Sequence, residues 1–385
     1  MYLDEINNYN WSLPVCPKAP DFQVDWDKIY DSFEWIRAME GVQQNPVHHA
    51  EGDVLTHTKL VCEALAAMKE WRKLNEVSQS VIFAAALLHD VAKPYCTRED
   101  EGAIISPGHA VKGEMAARRI IYKDMGLGIS TPFGMRETIA KLVRFHGLPL
   151  FFFEKPNPAK AVIGASQTTR MDWLAMLSKA DVLGRECRDS TDLLERVLLF
   201  ADFCREQGCL EKPKAFPNHI SRFVYFQKEN GFVDFEAYDD TKSEVILMSG
   251  LPAAGKDTWI QNNYSHYPVI SLDDIRDDLD ISPRDEQGEV VFKARETART
   301  YLRKNQNFVW NATNLTSSLR RQLIDLFHSY GAKVKIIYME APYYEILKRN
   351  RERSRSVPEN VIGRMVTKLE VPDMTEAHQV EWVVK

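Results

Sequence analysis

Two groups of residues in this chain have the types and spacing to do chemistry, and both point at phosphate. The first begins with Gly250-Leu-Pro-Ala253-Ala254-Gly255-Lys256-Asp257-Thr258. A Gly-x4-Gly-Lys loop between a strand and a helix turns its backbone N–H groups around the phosphates of a nucleotide. The helix N-terminus adds its positive end, and Lys256 reaches the β- and γ-phosphates. Asp257 stands where a Ser or Thr usually contacts Mg²⁺, so either Thr258 supplies the hydroxyl or Asp257 approaches the ion directly or through water. Further on, Asp273-Asp274-Ile-Arg276 begins where a second strand ends, the position of ligand-facing residues in parallel sheets. A carboxylate at Asp273 can orient an acceptor hydroxyl and take its proton, and Arg276, one helical turn on, can grip a phosphate. The plainer reading is a helix N-terminus enriched in Asp for its dipole. Asn311-Ala-Thr313-Asn314 ends a third strand with polar groups, and Arg320-Arg321 follows on the next helix. In Lys348-Arg349-Asn-Arg351-Glu-Arg353-Ser-Arg355, Arg349 and Arg353 share one helix face. After a phosphate loop, an arginine lid over the triphosphate reads better than a solvated charge run, because the transferring phosphoryl group needs cationic clamps.

The second group is a series of histidines and aspartates: His57, the adjacent His89-Asp90, His109, His146 and Asp181. Any one of these histidines alone would be an ordinary core or surface residue. Five such positions, with a His-Asp pair closing an apolar helix, form a set of imidazoles and carboxylates suited to divalent and transition metals. Lys93 follows Asp90 by three residues. Gln44, His48 and His49 lie in Gln-Asn-Pro-Val-His-His-Ala-Glu-Gly, where capping or support of the metal ligands is as good a reading as substrate contact. Phe151-Phe152-Phe153 could stack on a base, although core packing is the commoner use of an aromatic run.

The elements that must position these residues differ between the two halves. Before residue 240 the pattern is helical: Val54, Leu55, Val61, Leu65 and Met68 recur at helical spacing, as do Leu193, Val197, Leu198 and Phe200. The run from Val81 to Leu88 contains three consecutive alanines and reads as a buried helix. From Glu244 the runs 245–248, 268–271, 308–310 and 334–339 are short, apolar and separated by helix-compatible stretches, which predicts parallel strands with helical crossovers. The expected organisation is an all-α unit over residues 1–207, a connecting segment over 208–242 and an α/β unit over 243–385. Gly208, Pro213, Pro217 and Asp239-Asp240 interrupt the connection, within which Ile220, Phe223, Val224 and Phe226 predict one helix.

Composition narrows the partners. The chain has 385 residues, 44% of them hydrophobic and 27% charged, which excludes disorder as its main character. Its longest apolar run, eight residues, is far below the ~18 that cross a bilayer. Six cysteines (16, 62, 96, 187, 204 and 209) form no CxxC pair, so reduced thiols in a cytoplasm are expected and nothing marks the chain for export. The net charge of −6 sits wholly in the first half: residues 1–242 hold 29 Lys+Arg against 35 Asp+Glu, whereas 243–385 hold 20 of each. Such a balance predicts weak non-specific binding to long nucleic acid.

The second half resembles the 5′-hydroxyl polynucleotide kinases of the phage end-healing type through GLPAAGKDTW, Asp-Asp-x-Arg at 273–276, Thr313-Asn314 and the Lys-Arg-Asn…Arg…Val-Pro lid. By that resemblance Asp273 is the general base, Arg276 contacts the acceptor-side phosphate, and Arg349 and Arg353 are lid clamps. The first half resembles the HD phosphohydrolase superfamily over most of residues 45–185. That resemblance implies a metal site of His57, His89, Asp90 and Asp181, with His109 and His146 holding a second ion and Asp90 bridging. Lys93 would contact the phosphate as charge develops. In their order the two halves resemble bacterial bifunctional HD–polynucleotide kinase end-healing enzymes. The implied activities are phosphorylation of 5′-hydroxyl ends with ATP or another NTP and Mg²⁺, and transition-metal-dependent hydrolysis of 3′-phosphate, 2′-phosphate or 2′,3′-cyclic phosphate ends. The implied partners are RNA or DNA strand ends and a separate polynucleotide ligase. Two other readings keep the folds: a small-molecule or nucleoside kinase fused to an HD nucleotidase, and an HD phosphohydrolase regulated by a P-loop nucleotide sensor that transfers nothing.

Overall fold

The apolar run 81–88 belongs to a helix, Glu76–Leu88, in which every residue from Ser80 to Leu88 is buried. A helix apolar on all sides belongs at the centre of its unit. Its N-terminus is capped by Asn75, whose side chain accepts from the Ser78 N–H at 2.8 Å. The computed structural model describes residues 10–123, 130–282, 285–353 and 355–385. By its internal contacts the chain divides into Met1–Ala215 and Phe216–Lys385.

In the first unit, helices Val54–Ala67, Phe133–Phe145 and Met171–Leu183 pack against Glu76–Leu88. Gly184 closes the last of these: a Cβ at that position would lie 2.6 Å from Val61 N, so only glycine lets the end of this helix meet Val54–Ala67. That close approach brings Asp181 to His57. Helices His109–Tyr122 and Phe133–Phe145 are joined by a buried ion network. Arg118, 1% exposed, bonds Glu137 through Nε at 3.0 and 2.9 Å and Glu114 through Nη2 at 2.7 Å. Ser190–Glu206 buries Leu193, Val197, Phe200 and Cys204. Leu198 departs from the expected face and points outward, because it lies about 100° round the helix from Val197. The described residues before 240 also hold a two-stranded antiparallel hairpin, β1 (Arg98–Asp100) and β2 (Ala103–Ile105), too short and polar to register as strands in the sequence.

In the second unit five strands form one parallel sheet: β3 (Ser243–Ser249), β4 (Val269–Ser271), β5 (Phe308–Asn311), β6 (Ala332–Glu340) and β7 (Gln379–Val384). Their order is β4-β5-β3-β6-β7. The chain winds to one side of β3 and then to the other, so the C-terminal end of β3 is where a crevice opens. Four of the strands coincide with the predicted runs. The fifth, β7, is half-buried along most of its length, and its mixed sequence Gln-Val-Glu-Trp-Val-Val carries no continuous apolar signal. The boundary between units falls inside the 208–242 segment, whose helix His219–Gln227 joins the second core through Phe223.

Candidate functional site

The first site lies at the C-terminal end of the central helix. His89 caps Glu76–Leu88, and His146 likewise caps Phe133–Phe145. His109 opens its helix after Gly108. These three rings share one arrangement. Nδ1 lies 2.7 Å from Ala86 O in His89, 2.9 Å from Ser106 O in His109 and 2.8 Å from Val143 O in His146. A carbonyl accepts only, so each Nδ1 carries the proton and each Nε2 presents a lone pair. The lone pairs converge: His109 Nε2 lies 3.4 Å from His146 Nε2 and 3.7 Å from Asp90 Oδ1, and His89 Nε2 lies 3.2 Å from Asp90 Oδ2. His89 Nε2 and Asp90 Oδ1 are buried with no hydrogen-bond partner. Lone pairs facing lone pairs and a carboxylate repel unless a cation stands between them. The donor set therefore fits divalent ions, in two overlapping groups that share Asp90: His57, His89, Asp90 and Asp90, His109, His146.

Electrostatics keep His146, Asp90 and Asp181 in ligand form, whereas Asp181 and Glu51 raise His57 against the opposing effect of burial. Burial, with His109 adding to it, pushes His146 down to about 3, so the ring is neutral. Burial works to raise the Asp90 carboxyl, but the Lys93 ammonium beside it holds it well below the ordinary carboxylate range. Asp181 is likewise held down by Arg185 and His57 against burial. Its Oδ1 is 3.1 Å from His57 Nε2, while Arg185 grips both carboxylate oxygens, Nε to Oδ1 at 3.0 Å and Nη2 to Oδ2 at 2.6 Å. Lys93 Nζ meets Asp90 Oδ2 at 2.7 Å and the Gln44 carboxamide oxygen at 2.6 Å. Gln44 thus touches the cluster through Lys93. His49 faces the far side of His57, with Glu51 Oε1 2.7 Å from His49 Nδ1 and 2.8 Å from His57 Nδ1. The contact to His57 lies off the ring's N–H axis and is an electrostatic pairing. His48 is exposed in its turn and outside these metal-ligating groups. Glu51 and Arg185 escaped the sequence reading. Glu51 lies in the Gln44–Gly52 stretch already singled out, and Arg185 follows Asp181 by one helical turn, a spacing that could have found it.

The aromatic run divides. Phe152 is fully buried and packs on Phe200 and Phe203. Phe151 is 42% exposed and lies over Gly147, where a Cβ would be 3.9 Å from its ring, next to His146.

The second site is the loop after β3. Gly250 has φ +142°, and a Cβ there would stand 2.3 Å from Met339 O, so the loop turns against β6 only with glycine. Ala253 (φ 61°) and Gly255 (φ 98°) take left-handed conformations around buried Ala254, and helix Lys256–Tyr264 begins at once. For Ala253 that conformation costs ~1–2 kcal/mol. Lys256 Nζ folds back onto the carbonyls of Gly250 at 3.0 Å and Leu251 at 2.8 Å. Burial pushes Lys256 down to about 8 against the opposing pull of Asp257 and Asp273, with Arg353 acting in the same sense as burial. Asp273 and Arg353 therefore both lie within electrostatic reach of the loop. Asn311, at the end of β5, donates to Asp257 Oδ1 at 2.7 Å; Asp257 and Thr258 are both exposed. Ser271 caps helix Leu272–Asp278, which carries Asp273 and Arg276 as an ion pair, and Arg276 Nε donates to Gln287 at 2.7 Å. Arg349 pairs with Glu345 on its own helix at 2.8 Å.

Other residues of the expected set brace the loop. Thr313 O accepts from Gly250 N at 2.9 Å, and buried Asn314 donates to Met248 O at 2.7 Å. Arg320 is fully buried: it bonds both Glu376 oxygens at 2.7 Å, Asn314 O at 3.0 Å and Glu370 O at 2.8 Å. It acts as a clamp between segments of the fold. Lys385 Nζ lies 3.9 Å from where a Cβ on Gly255 would stand, a further cation at the loop that no motif announces.

Comparison with known proteins matches residues 54–177 to the HD domain and residues 245–372 to an AAA domain family. Among curated relatives, the L-seryl-tRNA(Sec) kinase of Methanococcus maripaludis is 25% identical over 136 residues, 33% of this chain and 53% of that protein. The multifunctional CCA protein of Halorhodospira halophila is 33% identical over 111 residues, 29% of this chain and 23% of that protein. The chain thus spans about half the length of the first and under a quarter of the second. Among solved structures, a sugar kinase from Janibacter sp. is 14% identical, with a TM-score of 0.30, over 37% of this chain and 85% of its own. The chain is a helical HD domain followed by a P-loop kinase-like domain with a five-stranded parallel sheet. No helix among the described residues is long and apolar enough to cross a membrane.

Proposed function

We propose that this chain is a bifunctional enzyme that prepares broken nucleic-acid strands for a separate polynucleotide ligase. The observation that carries the reading is Asp273, paired with Arg276 and within electrostatic reach of the phosphate-loop lysine, on the same chain as the histidine–aspartate cluster. A nucleotide sensor needs no acceptor base, so this pair disfavours a P-loop that transfers nothing. One relative's name places its acceptor on a tRNA, which suits a nucleic-acid acceptor here.

In the kinase half, the loop amides, Lys256, Arg353 and Arg349 hold an NTP, and Asp257, steadied by Asn311, is the better placed candidate for the Mg²⁺ contact. The 5′-hydroxyl oxygen attacks the γ-phosphorus and the bond to the β–γ bridging oxygen breaks. The hydroxyl proton passes to Asp273 and NDP leaves. Arg276 holds the acceptor's phosphate. In the HD half, His57, His89, Asp90, His109, His146 and Asp181 would hold two divalent transition-metal ions. Bound ions supply Lewis-acid polarisation of the phosphate and acidify the attacking water. Water adds to the phosphorus of a 2′,3′-cyclic phosphate, 3′-phosphate or 2′-phosphate end, one ester bond breaks, and its oxygen leaves with a proton. Lys93 steadies the phosphate oxygens. Both substrates and the ligase are those of a cytoplasm.

The test is an oligonucleotide bearing a 5′-hydroxyl and a 2′,3′-cyclic phosphate, given ATP, Mg²⁺ and a Mn²⁺, Co²⁺, Ni²⁺ and Cu²⁺ series, with both ends mapped. The expected product carries a 5′-phosphate and an opened terminus. Transfer to a mononucleoside or a sugar but not to the oligonucleotide would overturn the proposal.

A further inference from the structure

The geometry points to Arg185 as a second phosphate-binding cation of the hydrolytic site, parked on Asp181 until a metal ion takes over that carboxylate. The inference rests on the reading of this site as a phosphoester hydrolase. It begins from a symmetry between the two motif aspartates. Asp90 and Asp181 are each sealed, 2% and 1% exposed, and each is gripped by one cation from a little further along its own chain segment. Lys93 lies on Asp90 at 2.7 Å, and Arg185 lies on Asp181 at 2.6 and 3.0 Å. Both cations stand on the solvent side of their carboxylates, at 10% and 14% exposure. Lys93 and Arg185 are thus the partly exposed members of the two pairs.

Charge decides what this arrangement can take up. Asp181 and Glu51 favour His57 in its charged form, and a metal ion would displace that proton. Setting His57 aside, the buried charges are three carboxylates, Glu51, Asp90 and Asp181, against two cations, Lys93 and Arg185. Without metal each cation has its own carboxylate and the site has little use for an anion. One divalent ion reverses the sign, since −3 and +2 become a net +1, and a second ion makes it +3. The ion also neutralises the aspartates, which weakens their hold on Lys93 and Arg185. The planar guanidinium of Arg185 is built for two oxygens of one anion, and its present bidentate grip on a carboxylate matches the geometry a phosphate would offer. Metal and phosphate binding are thereby coupled through Arg185: the ion frees the cation, and the freed cation favours the anion.

The alternative role for Arg185 is to orient Asp181 as a metal ligand, and the two roles differ in sign. A positioning residue, when removed, weakens metal binding. A competitor for Asp181, when removed, leaves metal binding unchanged or tightens it. The experiment titrates Mn²⁺ into the metal-free full-length protein by calorimetry, then titrates inorganic phosphate into the metal-loaded protein, for wild type, Arg185→Met and Arg185→Lys. The expected result is a Mn²⁺ affinity for Arg185→Met equal to or above wild type, and a phosphate affinity lowered at least tenfold. Arg185→Lys recovers part of the phosphate affinity, because it keeps the charge and loses the fork. Circular dichroism and 5′-kinase activity report whether each variant is folded. A Mn²⁺ affinity lowered tenfold or more, with phosphate affinity unchanged, would overturn the inference in favour of the positioning role. Unchanged affinity for both would also overturn it. Because inorganic phosphate is the probe, these results stand whether or not the natural substrate is a nucleic-acid end.

Discussion

In the HD unit the carboxylates of the cluster, Asp90 and Asp181, are 2% and 1% exposed and fully enclosed by rings and cations. In the kinase unit Asp273 is 58% exposed, and its partner Arg276 is 21% exposed. The first site is a charge cluster assembled by the core, the second a phosphate loop with its acid and arginines set around an open mouth. Enclosure suits metal ions, which need several fixed donors and a low dielectric to bind tightly. Openness would suit the polymer end and the nucleotide proposed above, which must enter, react and leave. The exposed Asp273–Arg276 pair is worth little to stability in water. It is available to be exchanged when a phosphate engages Arg276 and leaves Asp273 to its proton.

The sharpest way to break this comparison is to remove one acid from each site. Asp90→Ala is expected to lower end hydrolysis by at least ~10³-fold and to leave 5′-phosphorylation at the wild-type rate. Asp273→Asn is expected to lower phosphorylation by about 10²–10⁴-fold with hydrolysis unchanged. Thermal unfolding separates the two further. A chelator should lower the midpoint of the wild-type protein and leave that of Asp90→Ala unmoved, because only the former binds the ion. Asp273→Asn should change stability by less than ~0.5 kcal/mol, as exposed sites do. Loss of both activities in either variant would show that the sites are not independent.

How much of this was legible beforehand follows the same division. The phosphate loop is one continuous motif, and its strand–loop–helix context was readable because β3 is a clean apolar run. The histidine–aspartate cluster was also readable as a set, since His89-Asp90 closes a helix whose last two turns are apolar on every face. What failed to register were partners brought in by tertiary packing. Arg185, Glu51, Asn311 and Lys385 are ordinary polar residues until the fold sets them beside Asp181, His57, Asp257 and Gly255. Arg320 shows the converse. Its place after the Thr-Asn pair left substrate contact open, but the fold closes it onto Glu376 and two carbonyls. Strand β7 was missed because an edge strand needs only one partner and tolerates polar residues.

A second test sharpens the contrast through Lys256, whose ammonium folds back onto the phosphate-loop carbonyls. Burial holds its ammonium down to about 8 in the free protein. A triphosphate stabilises the charged form, so the value in the complex is higher and binding takes up a proton in between. Below about 8 the lysine is charged in both states and affinity does not change with pH through this group. Above about 8 the free lysine is neutral, binding must protonate it, and affinity falls by about tenfold per pH unit. Calorimetry of ATP binding at pH 7 to 9.5, in buffers of different ionisation enthalpy, reads both the slope and the proton uptake. Lys256→Arg stays charged throughout and should flatten the slope. A slope that persists in Lys256→Arg would assign the titration to another group.

The smallest expected effect lies beside the enclosed site, at Phe151. Phe151 and Phe152 are adjacent in sequence and opposite in use: Phe152 is fully buried, and Phe151 is 42% exposed beside the residue that follows His146. Phe152→Ala should cost about 3–5 kcal/mol of stability. Phe151→Ala should leave the fold intact, because its ring is already half in water. If the ring stacks on the terminal base, its removal forfeits about 1 kcal/mol at the low end of base–aromatic stacking. That amounts to a roughly fivefold rise in KM for hydrolysis of an oligonucleotide end, with kcat nearly unchanged. Phe151→Tyr or Phe151→Trp should restore the wild-type KM, since any aromatic face serves a base. The control is a small phosphodiester with no base to stack, whose KM should not respond to any of these substitutions. A rise in KM shared by that compound would mean that Phe151 shapes the metal site through Gly147 and does not hold the base, and the exposed ring would then belong to the enclosed cluster after all.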